Sequence, residues 1–176
     1  MKALASVKRR PRIRLLIAAI VLGSVATLAV LAASGSLPGG SRQEDIAVRG
    51  AQVMPFDLEK TTHIFRPLVD GGVQSVVADD PSDTEQIALI RSHLLDETDK
   101  FRRGNFGDPA TIHGDTMPGL VALRAGYQRI DVTYGELADG AQIRYVTLDP
   151  PLVSALAEWF RAQLGDHGPH ATDQAP

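Results

Sequence analysis

The chain has no cysteine among its 176 residues. That excludes disulfides, a thiolate metal site, a cysteine nucleophile and a lipid-modified cysteine anchor. No G-x-S-x-G elbow is present, so a serine triad has no visible nucleophile. No H-E-x-x-H and no glycine-rich phosphate loop after a strand occur either, since Gly71-Gly72 falls inside a hairpin pattern. Acidic residues are missing from the N-terminal region, where Lys2, Lys8, Arg9, Arg10, Arg12 and Arg14 form a purely basic cluster.

Behind that cluster lies an uncharged apolar run, Leu15 to Ala33, whose 19 residues are long enough to cross a membrane. A hydrocarbon core is about 30 Å thick, and a helix rises about 1.5 Å per residue. Basic flanks stay on the cytoplasmic side, which puts residues 1–14 inside and everything after residue 33 outside. The run is longer than the usual signal-peptide core, which favours a retained anchor, while the small residues of "VLAASG" would permit cleavage near Ala32 or Ala33. The expected location is therefore the inner membrane as a single-pass protein with its C-terminal domain in the periplasm, or the periplasm itself if the run is cut. Arg9-Arg10 is followed by Pro11 and Arg12, where a twin-arginine signal needs an apolar pair.

Six of the 18 basic residues precede the apolar run and none of the 21 acidic ones do, so the exported part carries 12 against 21, a net −9. That balance argues against nucleic acid and against an anionic membrane surface as partners, and it suits a domain that meets cations.

Residues 34–60 begin with "SGSLPGGSRQED" and read as a linker. Residues 61–171 form the exported domain, and 172–176 a tail. "THIFRPLV" and "VQSVVAD" flank Asp70-Gly71-Gly72, a hairpin composition in which Pro67 favours an edge strand. Ser82 or Asp83 caps a helix whose Ile87, Ile90, Leu94, Thr98 and Phe101 recur at three- and four-residue spacing up to Gly104. A long loop fills Asn105 to Gly119, with one helical turn in "LVALRAG". Two alternating segments around Asp139-Gly140 make a second hairpin, and Asp149-Pro150 opens a last helix that Gly165 ends. The expected fold class is α+β, an antiparallel sheet from two β-hairpins with two helices on one face in ββα-ββα order, after one N-terminal membrane segment.

The candidate chemistry lies with five histidines, His63, His93, His113, His167 and His170. Neutral imidazole is a common metal ligand, and a thioether selects Cu(I). In "DPATIHGDTMPG", His113 and Met117 therefore suit copper, and "DHGPH" offers Asp166, His167 and His170 to zinc or Cu(II). Each residue also has a structural account. His167 can meet the last carbonyls of its helix, His93 can lie on a helix surface near Glu97, and His63 can be a half-buried strand residue. His170 can belong to a frayed tail, and Met117 can fill a gap in the core. His113 stands apart because long loops are more often functional than short ones.

The phrases "THIF", "GGVQSVVADDPSD", "QIALIRSHL", "FGDPATIHGDTMPGL" and "GAQIRYVTLDPPLVSALAEWFRAQLGDHGPHA" resemble a group of short, exported bacterial proteins often labelled aspartate carbamoyltransferase. The likeness runs from Thr62 to Ala171 and implies export and these domain limits. The group often has a histidine where Ala157 stands here. The Ser-Thr-Arg-Thr-Arg and His-Pro-x-Gln segments of true aspartate carbamoyltransferases are absent, so the likeness carries no catalytic residues across.

Three functional classes remain. The first is a small cell-envelope binding protein that holds a transition metal, copper or zinc, through His113, Met117, His167 and His63. The second is an enzyme acting on a small molecule, with His113 as general acid or base and Asp115 orienting it. The third is an envelope interaction module with structural histidines and an exposed apolar patch.

Overall fold

The computed structural model describes residues 40–174, so the basic segment 1–14 and the expected membrane segment 15–33 lie outside the described residues. Among the described residues no helix is long and apolar enough to cross a membrane. The described compact unit begins at Ser41.

Among the described residues the fold is α+β, with five helices and a five-stranded sheet in the order β3-β4-β2-β1-β5. Helix α1 spans Gly40–Val53, and a single 3₁₀ turn, Leu58–Lys60, leads into β1 at Thr61–Leu68. β2 is Gly71–Ala78, α2 Thr84–Arg102, α3 Gly107–His113 and α4 Leu120–Gly126. β3 is Asp131–Leu137, β4 Gly140–Val146, α5 Pro150–His167 and β5 Ala171–Thr172.

Both hairpins fold as tight two-residue connections. β1 and β2 pair antiparallel from Thr61↔Ala78 to Leu68↔Gly71, and β3 and β4 from Asp131↔Val146 to Leu137↔Gly140. The two hairpins join through β2 and β4, again antiparallel, from Gly71↔Val146 to Val77↔Gly140. The expected all-antiparallel sheet needs one correction, because β5 runs parallel to β1 at His63↔Ala171 and Ile64↔Thr172. A two-residue strand has no hydrophobic period to read, and its pairing depends on where α5 delivers the chain. β5 stops short of Pro67, so the proline stands where β1 has no partner on that side and its missing N–H goes unneeded.

Three other expectations change. The linker over 34–60 is helical from Gly40, and Ile46 of α1 is buried in the core. The loop at 105–119 contains α3, with His113 as its last residue. No side-chain cap announces α3, whose N-cap residue Phe106 makes no cap hydrogen bond. The last helix passes through Gly165 to His167. By contrast α2 starts as its composition dictates, with the Asp83 carboxylate accepting from Gln86 N–H at 3.1 Å.

The core is built on α5. Trp159 and Phe160 are wholly buried, and Trp159 meets the rings of Phe101, Phe106 and Tyr145 edge-on at 5.8–6.1 Å. Phe101 and Phe106 stack at 4.8 Å. Burying one such side chain is worth about 1.5–3 kcal/mol, and each aromatic pair adds about 0.5–1.5 kcal/mol. This cluster ties α2, the segment before α3, β4 and α5 together, and it fixes the walls on which the polar residues below are mounted.

Candidate functional site

Three of the four sequence-proposed ligands meet. His63 comes from β1, His113 from the end of α3 and His167 from the end of α5. The rings of His63 and His167 stack with centroids 4.6 Å apart and planes 14° apart, and the ring of His113 meets His167 edge-on at 5.1 Å. Phe56 and Phe65 lie against His63 at 6.0 and 6.2 Å. Met117 does not join them: it is buried in the hydrophobic core and lines neither of the two chambers that the histidines border.

Gly114 helps to deliver His113. It follows α3 with φ +99° and ψ 151°, a conformation open to glycine, and turns the chain away so that the imidazole stays inside. His113 Nδ1 then lies 2.9 Å from Asp166 Oδ2. Arg42 of α1 grips the same carboxylate with both its Nε, at 2.6 Å to Oδ1, and its Nη2, at 2.8 Å to Oδ2. The carboxylate that orients His113 is thus Asp166, not Asp115. Asp115 is exposed and pairs with Arg124 at 2.9 Å.

The electrostatics keep the imidazoles neutral. Burial pushes His63 down to about 3, helped by the neighbouring His93 and His113. Burial also holds His167 well below the usual histidine range, with His63 and His113 adding to the effect. For His113 burial outweighs the hydrogen bond to Asp166 and the net shift is downward. Burial would raise Asp166, but the hydrogen bonds from Arg42 and His113 hold it below the ordinary carboxylate value. The result is three neutral rings beside one fixed carboxylate.

Two chambers flank this group, and His63 lines both. The outer one, of about 200 Å³, is bordered by α1, His63, Asp166, His167 and His170. His170 sits at its rim, 3.5 Å from Glu59. The inner one, of about 40 Å³, lies among His63, His93, Glu97, His113, Trp159 and Gln163. Beside it the Lys100 ammonium is held by Asp96 at 2.6 Å, Asp108 at 2.7 Å and Glu97 at 2.9 Å. Burial, with Asp108 close by, pushes Glu97 up to about 8 despite that lysine.

Sequence reasoning missed Glu97 and Gln163, and gave Asp166 a different role. A signal for them exists. Glu97 falls on the stripe Ile90, Leu94, Phe101, and Gln163 and Asp166 continue the stripe Leu156, Trp159. A polar side chain at an apolar position of an amphipathic helix is turned inward with its neighbours.

The arrangement can offer neutral imidazole lone pairs to an ion or hold a proton at a carboxylate-oriented histidine. Among the described residues, no three His, Asp or Glu side chains already stand as a coordination group. The stacking explains this. Imidazole lone pairs lie in the ring plane, so His63 and His167, nearly parallel, aim them side by side and not at one point. No protein-family model, no curated protein sequence and no solved structure matches the chain.

Proposed function

We propose that this chain is a small binding protein of the cell envelope, tethered through residues 15–33, whose site is the histidine group His63, His113 and His167 and whose ligand is a transition metal, copper or zinc. The observation that carries the reading is the convergence of three neutral imidazoles from three separate elements, with rings 4.6 and 5.1 Å apart. Burying three polar rings together is costly unless something uses their lone pairs. His113 has the further feature expected of a ligand, a carboxylate on its other ring nitrogen. Metal uptake in this reading turns His63 or His167 out of the stack, so that the lone pairs meet.

The test is metal content by ICP-MS on the full-length chain from cells supplemented with copper and zinc. Near-stoichiometric metal in the native chain and none in His113→Ala is the expected result. A metal-free chain after both supplements overturns the reading.

A second reading has its own observation, the 2.9 Å His113–Asp166 contact beside two chambers. In an enzyme acting on a small molecule, His113 would take or give a proton at the nitrogen that Asp166 leaves free. Metal-free protein that turns over a substrate, with activity lost in His113→Gln, would favour this reading.

A further inference from the structure

The inner chamber holds a concentration of unsatisfied polar atoms. Among the described residues four buried side-chain atoms have no hydrogen-bond partner, and three of them belong to residues lining this chamber: His63 Nδ1, Trp159 Nε1 and Gln163 Nε2. Their residues are 3%, 0% and 4% exposed, so bulk solvent does not reach them. Each orphaned group costs about 1–3 kcal/mol, and three in one place are a large fraction of the roughly 5–15 kcal/mol that stabilises a domain. An occupant is needed.

Three properties of the walls define it. The indole N–H can only donate, and the Gln163 amide nitrogen donates as well, so the occupant must accept hydrogen bonds. A bare cation would leave both N–H groups without a partner. No lysine or arginine lines it. Of the cations around it, Lys100 is already shared among three carboxylates, Arg42 is bound to Asp166, and Arg49 does not line the chamber. An anion would enter without a counter-charge, which is costly in a buried site. The occupant is thus neutral. The volume of about 40 Å³ admits a group of a few heavy atoms, and Val76, Leu94 and Ile112 on the remaining wall suit a methyl or methylene.

We propose that the inner chamber is a binding site for the neutral amide group of a small molecule, its carbonyl oxygen accepting from Trp159 and Gln163 and its N–H donating to His63. An amide carries an acceptor and donors on one planar group, which a ketone or an ether does not. The site is separate from the metal reading, although both use His63.

Trp159 is the only tryptophan in the chain, so its indole N–H gives one identifiable NMR resonance. The experiment titrates acetamide, with acetate and ethylamine as matched controls, into full-length protein washed with EDTA. Removing metal beforehand keeps a failure here distinct from a failure of metal binding. The expected result is a saturable shift of the indole resonance with acetamide, at least tenfold weaker with either control. Gln163→Met, which keeps the volume and removes the donor, weakens acetamide at least tenfold while the other resonances keep their positions. No saturable shift in the native chain overturns the proposal and leaves the chamber to water. Tighter binding of acetate than of acetamide overturns it too, by showing that charge is tolerated. The native titration decides even if the variant does not fold.

Discussion

At the scale of single residues, Asp166 sets the order of the site. It fixes one ring nitrogen of His113 and is itself fixed by both nitrogens of the Arg42 fork, whose bidentate geometry restricts rotation of the carboxylate. Asp166→Asn keeps the shape and removes the charge that matches Arg42 and an Nδ1–H on His113. If the histidine group binds metal as proposed, affinity in that variant falls about 10–100-fold, the usual effect of losing an outer-shell partner. Asp115→Asn, which removes only an exposed partner of Arg124, is expected to leave affinity unchanged. Competition with a chromogenic chelator measures both. Equal losses in the two variants would show that the orienting role assigned to Asp166 is mistaken. The histidines themselves were legible because imidazole in a cysteine-free chain stands out. The partners were not, because Asp166 read as a ligand beside His167 and His170 in "DHGPH", and only the fold shows that it faces His113 and Arg42 instead.

At the scale of elements, two glycines make opposite demands. Gly114 closes α3 with φ +99°, where a side chain is strained even though a methyl group would meet nothing within 4 Å. Gly165 lies inside α5 in a helical conformation, and it also has open space around its Cα. Gly114→Ala is therefore expected to destabilise the fold by about 1–3 kcal/mol. Gly165→Ala is expected to stabilise it by about 0.5–1 kcal/mol through helix propensity. Urea denaturation of each variant measures the difference, and two shifts of the same sign would contradict the backbone argument. The same elements show what sequence periodicity can and cannot reach. The hairpin around Asp139-Gly140 and the long amphipathic α2 carry many periods, and both were legible. α3 has seven residues, no cap and a proline in its first turn, so it read as loop. α1 read as tether because its first residues continue a Gly/Ser/Pro-rich stretch, and its contacts, Ile46 in the core and Arg42 on Asp166, are made to distant parts of the chain. β5 exists only as a partner for β1.

At the scale of the whole molecule, the buried titratable groups together set how stability responds to pH. His63, at about 3 in the folded state against 6.5 ordinarily, binds its proton more weakly when folded. Its stabilising contribution is present above pH 6.5 and is lost as pH falls below it. His93, His113 and His167 are shifted the same way and add to the acid side. Glu97 acts in the opposite direction, at about 8 when folded against 4.5 ordinarily. Its contribution is full below pH 4.5 and is lost progressively as pH rises to about 8. Between 4.5 and 6.5 four histidines outweigh one carboxyl, so stability rises with pH. Above 6.5 the histidines are neutral in both states and the Glu97 loss continues alone. The metal-free chain is thus expected to melt highest near pH 6.5 and lower at pH 5 and at pH 8.5. Glu97→Gln, which imitates the protonated carboxyl and leaves Asp96 and Asp108 to hold Lys100, removes the alkaline decline and leaves the acid one. Thermal melts of both proteins at pH 5, 6.5 and 8.5 make the comparison. If Glu97→Gln followed the native profile at pH 8.5, Glu97 would be ionised in the folded state at ordinary pH, and Lys100 would be its full counter-charge.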